Sequence, residues 1–227
     1  EGYLKRIEAA FAQAKADNIA VLALGFSIEV IDSLGCIDSF IDIVSNYKNA
    51  FAPETRFYPE LSLDRAGNTD AVYERLGEIF SKGYFKSIDI CNNEFAQPVE
   101  SFQKIYRYAK SFGLRLKAHA GEFGTAEDVR QAVILLELSE VHHGIAAAES
   151  TEVMKWLGDN IIQLNVCPTS NIMLKRAESY FAHPIGKLFH NGVPVTINTD
   201  DLLIFDSSVS EEYMKLYTNN VLSATEL

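Results

Sequence analysis

Residues 4–14 put Leu4, Ile7, Phe11 and Ala14 on one helical face, and the apolar run "IAVLALGF" (19–26) reads as a fully buried strand. The alternation then continues to the end of the chain. A helix over about 37–49 leads to a strand near "TRFYPELSL". Thr69 is placed to cap a helix carrying Val72, Tyr73, Leu76, Ile79 and Phe80, with Gly83 as its stop. The strand "YFKSIDIC" precedes a helix over 98–112, opened by Pro98 and closed by Gly113. After the strand "LRLKAH", Thr125 and Asp128 predict a capping box for a helix with Val129, Ala132, Val133 and Leu136. The short strand "EVHH", a helix around 150–157 and the strand "IIQLNV" follow. A polar loop, a helix near 184–190, the strand "VPVTINT" and a helix from about 211 complete the pattern.

Seven strands, each followed by a helix or a loop and helix, imply an α/β chain with a parallel sheet. That is one unit short of a (β/α)8 TIM barrel; an open, doubly wound sheet competes with it. The polar residues favour the barrel. Cys91-Asn92-Asn93-Glu94, His119 with Glu122, His142-His143, Cys167 to Asn171 and Asn198 to Asp201 all follow the C-terminal ends of strands. A barrel gathers those ends at one mouth, whereas an open sheet spreads them along an edge. The chain therefore reads as a single, incomplete TIM-barrel domain over residues 1–227.

Composition narrows the function. A formal net charge of −11 argues against a nucleic-acid partner. No apolar run reaches the ~18 residues of a membrane helix, and a sequence that starts at Glu1, not at Met, with no charged-then-apolar stretch, reads as a trimmed or truncated polypeptide. Cys36, Cys91 and Cys167 are odd in number and far apart, which suits a reducing cytoplasm better than a disulfide framework. No CxxC or HExxH motif is present.

The strand-end clusters carry the chemistry. His119 alone would read as a packed strand-end histidine, and Glu122 as the opening of a helix. Four other polar strand ends beside them turn both toward a reaction. Adjacent residues of a strand point to opposite faces, so only one of His142 and His143 is expected at the mouth. Asp200 and Asp201 adjoin a β-branched strand, where paired carboxylates want a cation or a donor. Cys167, His183 and His190 read as structural.

The motifs "HAGE" (119–122), "HHG" (142–144), "CPTSN" (167–171), "HPI" (183–185) and "NTDD" (198–201), in this order, resemble the adenosine deaminase family of metal-dependent amidohydrolase barrels. The resemblance is close over about 84–205. It implies hydrolytic deamination of a small-molecule purine, with adenosine going to inosine and ammonia. It further implies that His119 and Asp200 are ligands of one Zn2+, and that Glu122 is the acid that protonates purine N1. His143 would orient and deprotonate the zinc-bound water, Asp201 would bond purine N7, and Asn92 stands where a glycine backbone usually meets the purine. The chemistry is coherent. Displacing an aromatic amine by water needs a metal-generated nucleophile and a proton on the ring, the latter giving about 10²–10⁴-fold.

The chain departs from the family in lacking its first-strand His-x-His; its only histidines are 119, 142, 143, 183 and 190. "LALGFSIE" also lacks the arginine and proline common there. The expectation is therefore an internal fragment that starts after strand one and stops before the closing helices. Such a chain would by itself neither hold zinc tightly nor deaminate. Three alternatives remain open: an adenine or modified-nucleoside deaminase, a cyclic-amide hydrolase on the same barrel, and a non-catalytic nucleoside binder without its metal.

Overall fold

The structure is a computed structural model that describes residues 2–227; Glu1 lies outside them. The seven expected strands are parallel and neighbour one another in chain order. The chain gathers into two compact units, Glu1–Asn93 with Ser101–Leu116, and Glu94–Glu100 with Lys117–Leu227.

The first unit contains α1 (Gly2–Ala16), β1 (Val21–Ser27), α2 (Ile28–Ser33), α3 (Ile37–Phe51), β2 (Arg56–Asp64), α4 (Thr69–Ser81), β3 (Ser87–Cys91) and α5 (Gln103–Ser111). Its core is aromatic. Phe11 meets Phe57 edge-on at 5.0 Å between centroids, Phe26 meets Phe40 at 5.1 Å, and Phe85 stacks on Phe40 at 5.8 Å. Leu61, Leu63, Ile88 and Ile90 fill the sheet face. β1 departs from its expected full burial: only Phe26 is buried, and Val21 is 51% exposed. The reason is pairing. Among the described residues β1 bonds only to β2, so one edge and much of one face lack cover.

Two helix starts also differ from expectation. The cap of α4 is Asn68, whose side chain accepts from the N–H groups of Asp70 and Ala71 at 3.0 Å; Thr69 is already inside the helix. The helix expected from Pro98 opens as a 3₁₀ turn, Val99–Phe102, before α5.

In the second unit, β4 (Arg115–Ala120, from Lys117 on), β5 (Glu140–His143), β6 (Gln163–Val166) and β7 (Val195–Ile197) lie side by side. Around them run α6 (Ala126–Leu136), α7 (Thr151–Asp159), α8 (Pro168–Met173), α9 (Pro184–His190), α10 (Leu202–Phe205) and α11 (Val209–Thr218). The capping box of Thr125 and Asp128 forms as read. Within the polar loop expected between β6 and the helix near 184, Pro168–Met173 forms the short helix α8. Beneath the strand ends runs a polar layer. Lys117 lies 3.3 Å from Glu140, Glu140 accepts from Asn165 at 3.1 Å, and Asn165 accepts from Thr196 at 2.8 Å. A buried ion pair is tolerable only when its spare lone pairs are used, and Asn165 uses them. No described helix is long and apolar enough to cross a membrane, and all three cysteines are free.

Candidate active site

The C-terminal ends of the four strands in the second unit converge on His143. Its ring centroid lies 5.1 Å from that of His119, its Nε2 lies 3.8 Å from Oδ2 of Asp200, and its Nδ1 lies 3.7 Å from Oε1 of Glu122. His142 also approaches His119, at 4.9 Å. This corrects the expectation that only one of the paired histidines faces the site. The alternation fails because His143 ends the strand in a left-handed conformation, φ 63°, which turns its side chain back.

Asp200 sits at φ 60°, and Asn92, which follows β3 in the first unit, at φ 70°. Left-handed non-glycine residues cost on the order of 1–3 kcal/mol each and gather where function requires them. Gly121 shares the conformation at φ 66°, and a Cβ there would lie 2.2 Å from Cγ2 of Val129. Only glycine fits between His119 and Glu122 at that point.

Glu122 is buried, and its Oε1 has no hydrogen-bond partner. Burial pushes its carboxyl up to about 7, helped by the negative charges of Asp200 and Glu94 and opposed by His119. Burial, with His119 and His142 close by, holds His143 well below the usual histidine range. His143 is therefore neutral at neutral pH, and its contacts with Glu122 and Asp200 are not ion pairs.

Several supporting residues escaped the sequence reading. The buried carboxylate of Glu94 accepts from the backbone N–H of Gly121 at 2.5 Å, of Phe123 at 2.5 Å and of Gly124 at 3.1 Å. It thus grips the loop on both sides of Glu122. Nε of Arg176 donates to the carbonyl of Glu122 at 2.8 Å, while its guanidinium lies over the Phe123 ring. Oγ of Ser170 donates to Oδ2 of Asp200 at 2.7 Å, and the N–H of Asp201 donates to Oδ1 at 2.7 Å. Asp201 itself caps α10, accepting from the N–H of Leu203 at 3.0 Å. Glu94 had a visible signal, since it closes a polar strand-end run, and Gly121 and Ser170 lie within the HAGE and CPTSN motifs; Arg176, 54 residues from Glu122, had none.

The donor chemistry suits a metal of the zinc class. Ligand atoms of His143, Cys167 and Asp200 lie within 4.8 Å of one another, and the imidazole of His119 adjoins that of His143. Cys167 is buried and its thiol is raised, which favours the packed thiol expected of it. A cavity of about 490 Å³ is lined by Glu122, Ile145, Arg176, Phe181, His183 and Lys187.

Residues 61–227 match the model of the family described as adenosine deaminase. A putative adenosine/adenine deaminase from Treponema pallidum is 32% identical over 92% of this chain and 71% of its own length. Matches to adenosine deaminases of other organisms span 34–39% of those proteins. Among solved structures, adenine deaminase from Arthrobacter aurescens superposes with a TM-score of 0.88 over 99% of this chain and 70% of its own, at 23% identity. An amidohydrolase from Burkholderia ambifaria, with bound Zn, gives 0.87 over 98% and 64%, also at 23% identity. At this identity the two likenesses speak for the fold alone, a TIM barrel present in part. The chain belongs to the adenosine deaminase family.

Proposed function

We propose that the site around His143 hydrolyses the exocyclic amine of a purine, adenosine foremost, releasing ammonia, and that this is the activity of the whole protein. The observation that carries the reading is the orphaned Oε1 of Glu122, buried and protonated up to about pH 7. An unpartnered buried carboxyl oxygen costs about 1–3 kcal/mol, a cost that makes sense if a ligand atom completes it. A purine ring nitrogen fits, because a protonated carboxyl is the donor that N1 needs when water adds at C6.

In this reading His119 and Asp200 hold one zinc ion, which supplies Lewis-acid activation of water when bound. The hydroxyl of Ser170 keeps Oδ2 of Asp200 directed, and the left-handed backbone of Asp200 sets its approach. His143 orients the attacking water. Asp201, anchored by its bond to Leu203, meets purine N7 through a proton carried on its remaining carboxyl oxygen, because N7 can only accept. Glu94 and Arg176 hold the Glu122 loop against displacement, which matters because misplacement by about 1 Å costs ~10²-fold. Adenine is the second reading, supported by the Treponema relative's description as an adenosine/adenine deaminase. Three free thiols fit a cytoplasmic setting.

The test is ammonia release by the full-length gene product from adenosine, adenine and N6-methyladenosine, with zinc measured alongside. Turnover of one or more of these with about one zinc per chain supports the proposal. Zinc-loaded protein inert toward all three overturns it.

A further inference from the structure

We propose that Asn171 and His183 are positioning residues that hold His143 in the tautomer bearing its hydrogen on Nε2. The geometry stands by itself; only its consequence for reaction rests on the function proposed above.

One group in this relay has a single possible role. The backbone N–H of Ile185 donates to Nδ1 of His183 at 3.1 Å, so that nitrogen carries a lone pair. Burial lowers His183 to about 4, so the ring is neutral and its hydrogen is on Nε2. That Nε2 lies 3.3 Å from the side chain of Asn171, and only an amide oxygen accepts there. The amide orientation is thereby set. Its NH₂ group faces Nδ1 of His143 at 3.1 Å and has nothing but hydrogens to offer. Nδ1 of His143 must accept, and its hydrogen goes to Nε2, the atom nearer Asp200.

Burial seals the relay. Asn171 has no exposed surface, and His143 and His183 are 2% and 4% exposed, so water does not replace a partner. The same relay accounts for Glu122: the Nδ1 lone pair that its Oε1 faces at 3.7 Å is already engaged by Asn171. On the Asp200 side His143 therefore presents an N–H. In the proposed reaction it orients water by donating, and a base role would first require this proton to leave.

The test is long-range 1H–15N correlation on 15N-histidine-labelled full-length protein, metal-free, at neutral pH. The expected pattern is Nε2–H for both His143 and His183. Asn171→Asp replaces the amide with acceptors alone, so His143 should invert to Nδ1–H while His183 stays unchanged. Nδ1–H at His143 in the unaltered protein overturns the proposal, as does an uninverted His143 in a folded Asn171→Asp variant. If that variant does not fold, the spectrum of the unaltered protein decides alone. Loss of the deaminase reading would leave this result standing, because no turnover enters it.

Discussion

Oε1 of Glu122 and Nδ1 of His143 stand 3.7 Å apart, both buried, and no hydrogen bond joins them. Asn171 occupies the nitrogen, and the oxygen is left to whatever enters the site.

This arrangement makes Glu122 a pH-dependent burden on folding. Its carboxyl titrates near 7 in the folded chain against an ordinary 4.5. Below the lower value both states are protonated and nothing is lost. Through the window between them the folded state holds the extra proton, so stability falls as pH rises toward 7. Glu122→Gln removes that group and should gain stability relative to the unaltered protein from pH about 5 to about 8. Denaturant midpoints of the two metal-free proteins across this range check it; parallel curves would refute the shift.

Glu94 should behave as the brace of the same loop. Glu94→Ala strands three backbone N–H groups whose bonds are one buried and two part-buried, a loss of roughly 2–4 kcal/mol. Hydrogen exchange at Gly121, Phe123 and Gly124 should accelerate well beyond that in α6. If these amides keep their protection, the carboxylate is not what holds them.

What was legible in the sequence was what is local. The capping box of α6 lies within four residues, and Thr125 and Asp128 announce it. The seven strands were visible from their apolar runs, and the family from motifs at their ends. The short helices α8 and α10, six and four residues long, are too brief to display a period. The left-handed turn at His143 overrides strand alternation, a rule that assumes extended backbone on both sides. The relay through Asn171 spans 28 residues to His143 and 12 to His183, so only folding brings its members together. The burial expected of β1 failed for a related reason: burial depends on neighbours, and the run of apolar letters does not say how many there are.

The two neighbouring aspartates should separate cleanly. Asp200→Ala should abolish tight zinc binding, since its carboxylate is the proposed ligand and Ser170 orients it. Asp201→Ala should retain zinc, weaken purine binding about tenfold or more, and loosen α10 through loss of its cap, at a cost of about 1 kcal/mol. Metal analysis after dialysis, with a binding titration, distinguishes them. Equal zinc content in the two variants would contradict the assignment.

The most direct measurement is the turnover of Glu122→Gln in the full-length gene product at matched zinc content. Glutamine keeps the shape and the hold of Glu94 and Arg176 on the loop, but it cannot deliver a proton. Ammonia release should fall at least about 10²-fold while zinc occupancy is unchanged. Activity within a few-fold of the unaltered protein would contradict the central claim and leave Glu122 as no more than the residue that leads into α6.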